Sequence, residues 1–178
     1  PPSLEPMSVP SVVWRRASLR WRNMRASRPT RLHCVCDALT EGNHVAHRTE
    51  IRVRFSEIDP YGHVNHAVYV TWFEVARTEA LRSLGIRLAG EGASPYQFVV
   101  SEVSVKYRRS AMPDELITVE SRIVKLRGAT SRWLQRVLRG DEVLAEGSLR
   151  IGMVDSSGRV VRLPDEVRAA LMPLMAIA

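Results

Sequence analysis

Apolar residues recur between positions 69 and 84 at the spacing of one face of an α-helix. The positions that share this face are Tyr69, Phe73, Ala76, Ala80 and Leu84. Side chains three or four residues apart lie on the same side of a helix, so the pattern predicts an amphipathic helix of about four turns.

The rest of the chain after position 48 alternates polar and apolar residues, as half-buried β-strands do. One such stretch, Thr49–Ser56, precedes the helix. The stretches that follow it predict strands at 95–109, 115–125, 130–139 and 142–154. A phase slip within 115–125 predicts a β-bulge, and Gly140-Asp141 predicts a hairpin turn.

A second, shorter helix is predicted to begin at Leu163–Glu166, where proline and two acidic residues suit a first helical turn. One long helix followed by long antiparallel strands defines an α+β protein. We expect a curled antiparallel sheet of five to six strands wrapped around a long central helix.

Residues 1–47 differ in composition from the rest of the chain. They contain five prolines and no strand or heptad pattern, and seven arginines against three acidic residues place +4 of the formal net charge of +7 there. We expect an N-terminal extension at 1–47 and one folded domain at 48–178. Since the domain is nearly balanced in charge, its composition does not indicate a nucleic-acid-binding protein.

The extension is open to several interpretations. Its arginine-rich, acid-poor composition is typical of an organelle transit peptide. It also fits a disordered basic tail, or sequence upstream of a true start such as Met24. Trp14 and Trp21 among arginines would suit nucleic-acid stacking, but no recognisable module accompanies them, so we expect no nucleic-acid partner. The expected location is the cytoplasm, or a plastid or mitochondrion if the extension is a transit peptide.

The two cysteines do not predict a metal site. Cys34 and Cys36 lie near His44 and His47, but this spacing is not that of structural zinc sites, so we expect no metal. Two cysteines in such a segment suggest a reducing compartment. The chain also lacks the run of about 18 apolar residues that a membrane helix needs, so no membrane span is expected.

Candidate chemistry is concentrated between the first strand and the helix. Asp59 follows the strand, Gly62 supplies a turn, and a helix is expected to start just beyond. A helix N-terminus has unpaired N–H groups and partial positive charge, and it stabilises a developing anion. An acid beside it suits attack on a carbonyl group. The alternative is purely structural, because Asp-Pro-x-Gly is also good turn chemistry.

The motif at 59–66, Asp-Pro-Tyr-Gly-His-Val-Asn-His, resembles that of the 4-hydroxybenzoyl-CoA thioesterase family of hotdog-fold enzymes, together with Tyr69 and segment 73–79. The resemblance continues through 100–109 and 114–116 and covers roughly residues 48–170. It implies a hotdog fold, a homodimer or homotetramer, no cofactor, and hydrolysis of an acyl- or aroyl-CoA or an acyl carrier protein thioester.

The resemblance also implies roles for individual residues. Asp59 would be the nucleophile or general base, and the backbone N–H of His66 would bind the oxyanion. The His66 side chain would either line the pocket or transfer a proton. The residues expected to contact substrate are Gly62, His63, Asn65, Tyr69, Glu74, Lys106, Arg108 and Arg109.

Several of these residues have structural alternatives. His63 and Asn65 could instead stabilise the turn, and Tyr69 could belong to the core. Glu74 is the second candidate acid, because another hotdog subgroup uses a helix carboxylate. The basic residues, with Arg127, could meet coenzyme A phosphates or be solvated strand-edge charges.

Two other functions fit the same features. One is a hotdog hydratase or dehydratase acting on acyl thioesters, and the other is a non-catalytic acyl-CoA-binding protein. The motif favours the thioesterase, and retention of Asp59 argues against the binding protein. No Gly-x-Ser-x-Gly nucleophile elbow is present.

Overall fold

The computed structural model describes residues 46–88 and 95–175. Its strands are β1 (His47–Arg52), β2 (Gln97–Tyr107), β3 (Leu116–Arg127), β4 (Thr130–Arg139) and β5 (Glu142–Val154). They form one antiparallel sheet in the order β1-β3-β4-β5-β2. The α-helices are α1 (Val68–Ser83) and α2 (Asp165–Leu171), and short 3-10 helices occupy Phe55–Glu57 and Met172–Leu174.

Helix α1 buries the predicted apolar face against the sheet. Tyr69, Phe73, Ala76 and Ala80 are all buried, and Leu84 packs on the same core. The ring of Phe73 lies so close to β5 that a Cβ atom added at Gly147 would stand 2.6 Å from Phe73 Cε2. A glycine is therefore required for this close approach of helix and strand.

A buried polar network also joins α1 to the sheet. Gln135 of β4 donates from Nε2 to the Phe73 carbonyl at 2.9 Å and to Ser121 Oγ at 2.8 Å. Its Oε1 accepts from Arg77 Nη1 at 3.2 Å. Burial lowers the pKa of Arg77, and nearby Glu74 acts in the opposite direction. The network satisfies polar atoms that would otherwise be unpaired in the core.

The predicted end of the first strand, at Ser56, is wrong. Strand β1 stops at Arg52, and the chain turns into a 3-10 helix in which Glu57 Oε2 accepts the Arg54 N–H at 2.7 Å. Phe55, which continued the apolar alternation, is 91% exposed. The alternation of polar and apolar residues therefore continues beyond the end of β1, because Phe55 is apolar but not buried.

Several other predictions are confirmed. The strands at 130–139 and 142–154 have the predicted bounds, and Gly140 in their turn has a φ of 57°. The register of β3 shifts between Ile123 and Lys125, where a bulge was expected. Helix α2 begins after Pro164.

The structure confirms an α+β protein with five antiparallel strands. The sheet is open, with β1 and β2 at its edges. The curled sheet wrapped around a long central helix stays a prediction. Neither described helix has the length and apolar content of a membrane span. Most of the extension, with Cys34, Cys36 and His44, lies outside the described residues.

Candidate active site

A tight loop between the first 3-10 helix and α1 holds Asp59. Ile58 and Val64 form an isolated antiparallel bridge, and inside it the Asp59 N–H donates to the His63 carbonyl at 2.8 Å. The Gly62 N–H closes a turn on the Asp59 carbonyl at 3.0 Å, with a Gly62 φ of 81°. That left-handed conformation favours glycine, so Gly62 shapes the loop.

Both carboxylate oxygens of Asp59 contact nitrogen atoms of this loop. Oδ1 accepts the Tyr61 N–H at 2.9 Å, and Oδ2 lies 3.3 Å from His63 Nδ1. The Asp59 side chain is only 11% exposed. Asp59 thus has the structural role that Asp-Pro-x-Gly suggested, because its carboxylate stabilises its own turn. A carboxylate can do so and still face a substrate.

The chain enters α1 through Asn65, whose hydrogen bonds shape the turn before the helix. Its N–H donates to the Glu57 carbonyl at 2.9 Å, its Oδ1 accepts the Ala67 N–H at 2.9 Å, and its carbonyl accepts the Val68 N–H at 3.0 Å. His66 lies between these bonded residues. Within the described part of the chain, its own N–H has no hydrogen-bond partner.

The direction of the His66 N–H follows from peptide geometry. A trans peptide is planar, so the N–H of His66 points opposite to the carbonyl of Asn65. That carbonyl faces the Val68 N–H and the body of the helix. The His66 N–H therefore points away from the helix, as the first unpaired donor groups of a helix do.

Asp59 and His66 border one cavity of about 460 Å³. Tyr69 and Tyr107 form a wall, with ring centroids 5.3 Å apart. The residues that line the cavity are Asp59, Tyr61, His63, Val64, His66, Tyr69, Tyr107, Arg108, Arg109 and Ser110.

Hydrogen bonds fix the two tyrosines of this wall. The Tyr107 hydroxyl donates to the His66 carbonyl at 2.9 Å, while the Tyr69 hydroxyl accepts the Ala111 N–H at 2.9 Å. Burial raises the pKa of both phenols. They therefore stay protonated and neutral beside Asp59.

The structure brings some of the predicted substrate-contacting residues together and not others. His63, Tyr69, Arg108 and Arg109 line the cavity with Asp59 and His66. Gly62 and Asn65 shape the loop and the helix start. Glu74 lines a different cavity of about 240 Å³, together with Arg77 and Thr78. Lys106 is not among the lining residues, because it precedes Tyr107 and alternate strand residues point to opposite faces.

The two arginines of the rim are already paired within the chain. Arg108 donates to Glu146 Oε2 from Nε at 3.0 Å and from Nη2 at 2.7 Å. Arg109 Nε lies 3.7 Å from Glu142 Oε1. Arg136 and Arg139 contact the same two carboxylates, so Glu146 and Glu142 offset only part of the positive charge of the rim.

Sequence reasoning missed Tyr107 and Glu57. Tyr107 ends the alternating apolar positions of β2, and that position was the available signal. Glu57 accepts the Trp72 indole N–H at 3.2 Å and the Asn65 N–H, which no local pattern indicates. Among the described residues, no group of three His, Cys, Asp or Glu side chains could hold a metal ion.

The fold and the site define a class of protein: an α+β domain with a carboxylate and an unpaired backbone donor at a helix start. This agrees with the family match. The model of the thioesterase-like superfamily matches residues 53–171, and the chain belongs to that superfamily.

Individual relatives are similar over most of the described domain. The acyl-CoA thioesterase YbgC of Haemophilus influenzae is 35% identical over 124 residues, which cover 67% of this chain and 90% of the relative. A probable thioesterase from Bartonella henselae has a TM-score of 0.63 at 31% identity, covering 67% of this chain and all of that one.

A thioesterase from Thermus thermophilus, solved with coenzyme A and zinc, is also similar. Its TM-score is 0.62 at 29% identity, and the match covers 71% of this chain and 92% of that one. The narrower 4-hydroxybenzoyl-CoA thioesterase family stays a prediction.

Proposed function

We propose that this protein hydrolyses the thioester of an acyl-CoA, or of an acyl carrier protein, to a free acid and a thiol. One observation carries the proposal. Asp59 and His66 line the same cavity, and the His66 N–H has no partner among the described residues, on a loop and a helix start whose hydrogen bonds hold both residues in place. The names of the relatives support a coenzyme A thioester as substrate.

In the proposed reaction the carbonyl oxygen of the thioester accepts a hydrogen bond from the His66 N–H. Negative charge develops on that oxygen as the carbonyl is attacked, and the helix N-terminus stabilises it. Asp59 either attacks the carbonyl carbon, with water cleaving the resulting anhydride, or removes a proton from an attacking water. Thiols have a pKa of about 8.5, so the thiolate leaves without a strong general acid.

The proposal extends to substrate contacts and assembly. Arg108 and Arg109 at the cavity rim would meet the phosphates of the carrier, with Lys106 further along β2. The catalytic domain is residues 48–178, and it acts as a homodimer or homotetramer. Strand β2 supports this assembly, because it is an exposed edge that ends at Tyr107 in the cavity wall.

The test is Asp59→Asn, assayed with a panel of acyl-CoAs by release of free thiol. Asparagine keeps the acceptor for the Tyr61 N–H and removes the negative charge. We expect kcat to fall by roughly 10²–10⁴-fold, the range for a positioned acid–base group. The melting temperature should change little, since asparagine suits the same turn.

Glu74→Gln is the matched control, because Glu74 is the other candidate carboxylate and lines a different cavity. Its kcat should stay near that of the wild type. An inactive Glu74→Gln beside an active Asp59→Asn would move the chemistry onto α1. Enoyl product without free thiol would indicate a hydratase or dehydratase, and binding without turnover would indicate a carrier-binding protein.

A further inference from the structure

We infer that His63 is a positioning residue for Asp59: its imidazole, with Nδ1 at 3.3 Å from carboxylate oxygen Oδ2, holds the carboxylate in the orientation that the reaction needs. The inference rests on the proposed function, because it assigns a role to a neighbour of the proposed catalytic acid. It differs from the expectation that His63 contacts substrate.

His63 Nδ1 lies between two oxygen atoms. Nδ1 lies 3.3 Å from Asp59 Oδ2 and 3.4 Å from the Val64 carbonyl oxygen. A carboxylate and a carbonyl oxygen are both acceptors, so together they favour a proton on Nδ1. Nδ1 makes its hydrogen bond with the Val64 carbonyl, and its approach to Asp59 Oδ2 is a close polar contact.

The rotation of the Asp59 carboxylate is restrained by this contact. The torsion that turns a carboxylate about its last bond is broad and poorly restrained by sterics alone. The Tyr61 N–H fixes Oδ1, and the His63 ring fixes Oδ2. Together they define the plane of the carboxylate.

No other cation near the cavity takes the place of His63. The guanidinium groups of Arg108 and Arg109 point to Glu146 and Glu142, and within the described chain neither is paired with Asp59. The Tyr69 and Tyr107 hydroxyls bond to backbone atoms. Removal of the imidazole would thus take from Oδ2 its polar side-chain contact among the described residues.

Two substitutions of His63 separate a positioning role from an effect of side-chain size. Asparagine places an N–H donor at about the same distance from Cα as Nδ1, whereas leucine fills similar space without a donor. We expect His63→Leu to lower kcat by roughly 10–100-fold, because a small misplacement of a reacting group is that costly. His63→Asn should restore kcat to within about threefold of the wild type, the scale of one weakened hydrogen bond.

The KM values for acyl-CoA should stay within about threefold in both variants, since a residue that acts through Asp59 adds no substrate binding of its own. A rise in KM with unchanged kcat would instead make His63 a substrate contact and overturn the inference. Equal losses of kcat in His63→Asn and His63→Leu would also overturn it, because the ring itself or Nε2 would then be required.

The double variant Asp59→Asn/His63→Leu tests whether His63 acts through Asp59. If it does, His63→Leu should lower kcat no further in the Asp59→Asn background, since the group that it positions is already lost. A further loss equal to that in the wild-type background would refute positioning. If Asp59→Asn alone is active, the proposed function fails first, so the two failures are distinguishable.

Thermal unfolding completes the comparison. A purely structural role in the turn would lower the melting temperature of His63→Leu and leave kcat of the folded enzyme unchanged. Such a result would contradict positioning even if the leucine variant is marginally stable, because His63→Asn supplies a second folded reference.

Discussion

Tyr107 is the residue through which the sheet reaches the helix start. Its hydroxyl bonds the His66 carbonyl, and its ring contacts that of Tyr69. This carbonyl belongs to the peptide that follows His66. The tyrosine therefore restrains the backbone of the residue whose N–H is the proposed oxyanion donor. Loss of the hydroxyl should loosen the proposed oxyanion donor and leave the packing of the ring intact.

We therefore expect Tyr107→Phe to lower kcat by about three- to tenfold, the kinetic equivalent of one neutral hydrogen bond. Tyr61→Phe is the control, because the exposed Tyr61 also lines the cavity but has no hydroxyl bond within the described residues. Steady-state kinetics of both variants provide the measurement. Equal effects would mean that the Tyr107 hydroxyl does not order the helix start.

Single residues also show where sequence patterns fail. The motif around Asp59 is local, so its turn, its glycine and the helix that follows could be predicted. Phe55 misled the strand prediction because an apolar side chain need not be buried. Tyr107 and Glu57 contribute through contacts 41 and 15 residues away in the chain, which periodicity cannot indicate.

Between elements, the contact of α1 with β5 depends on the absence of a side chain at Gly147. The Phe73 ring is fully buried, so a methyl group added 2.6 Å from its edge forces a shift within the core. Overpacking of this kind costs about 1–3 kcal/mol.

Gly147→Ala should accordingly lower the free energy of unfolding by about 1–3 kcal/mol, measured by urea denaturation. Gly152→Ala, in the same strand, is the control. An added Cβ there would meet only the Val99 carbonyl oxygen at 3.9 Å, an ordinary contact. If both variants are equally stable, helix and strand are less tightly packed than the structure indicates.

Strand bounds were predictable, and the polar residues of the core were not. The bounds of β4 and β5 were predicted, with glycine in the turn between them, yet Gln135 of β4 is buried. The network of Arg77, Gln135 and Ser121 places polar side chains on buried faces. A sequence assigns such residues to the surface, and only the tertiary contacts show that they satisfy one another.

At the scale of the molecule, the two sheet edges differ. Along β1, the exposed positions are charged: Arg48, Glu50 and Arg52. Along β2, the exposed positions include Val99, Val100, Val103 and Tyr107. A long apolar edge strand invites pairing with another strand, so β2 is where we expect a second copy to bind.

Light scattering at micromolar concentration should then show a dimer or larger assembly, and Val103→Lys should shift it toward monomer by placing a charge on the edge. Val160→Lys is the matched control, since Val160 is an exposed valine outside the five strands. A fully active monomeric wild type would refute the assembly.

The paired arginines of the rim have a consequence for how a phosphorylated carrier would arrive. Free cations attract polyanions over a distance of about 10 Å or more, and dissolved salt weakens that attraction. Arg108 is instead bonded to Glu146, and Arg109 lies beside Glu142, which also binds Arg139. Binding of a carrier phosphate at Arg108 would therefore replace one anion with another at contact. Its rate would depend on diffusion and on the opening of this ion pair, and less steeply on ionic strength than at a rim of free cations.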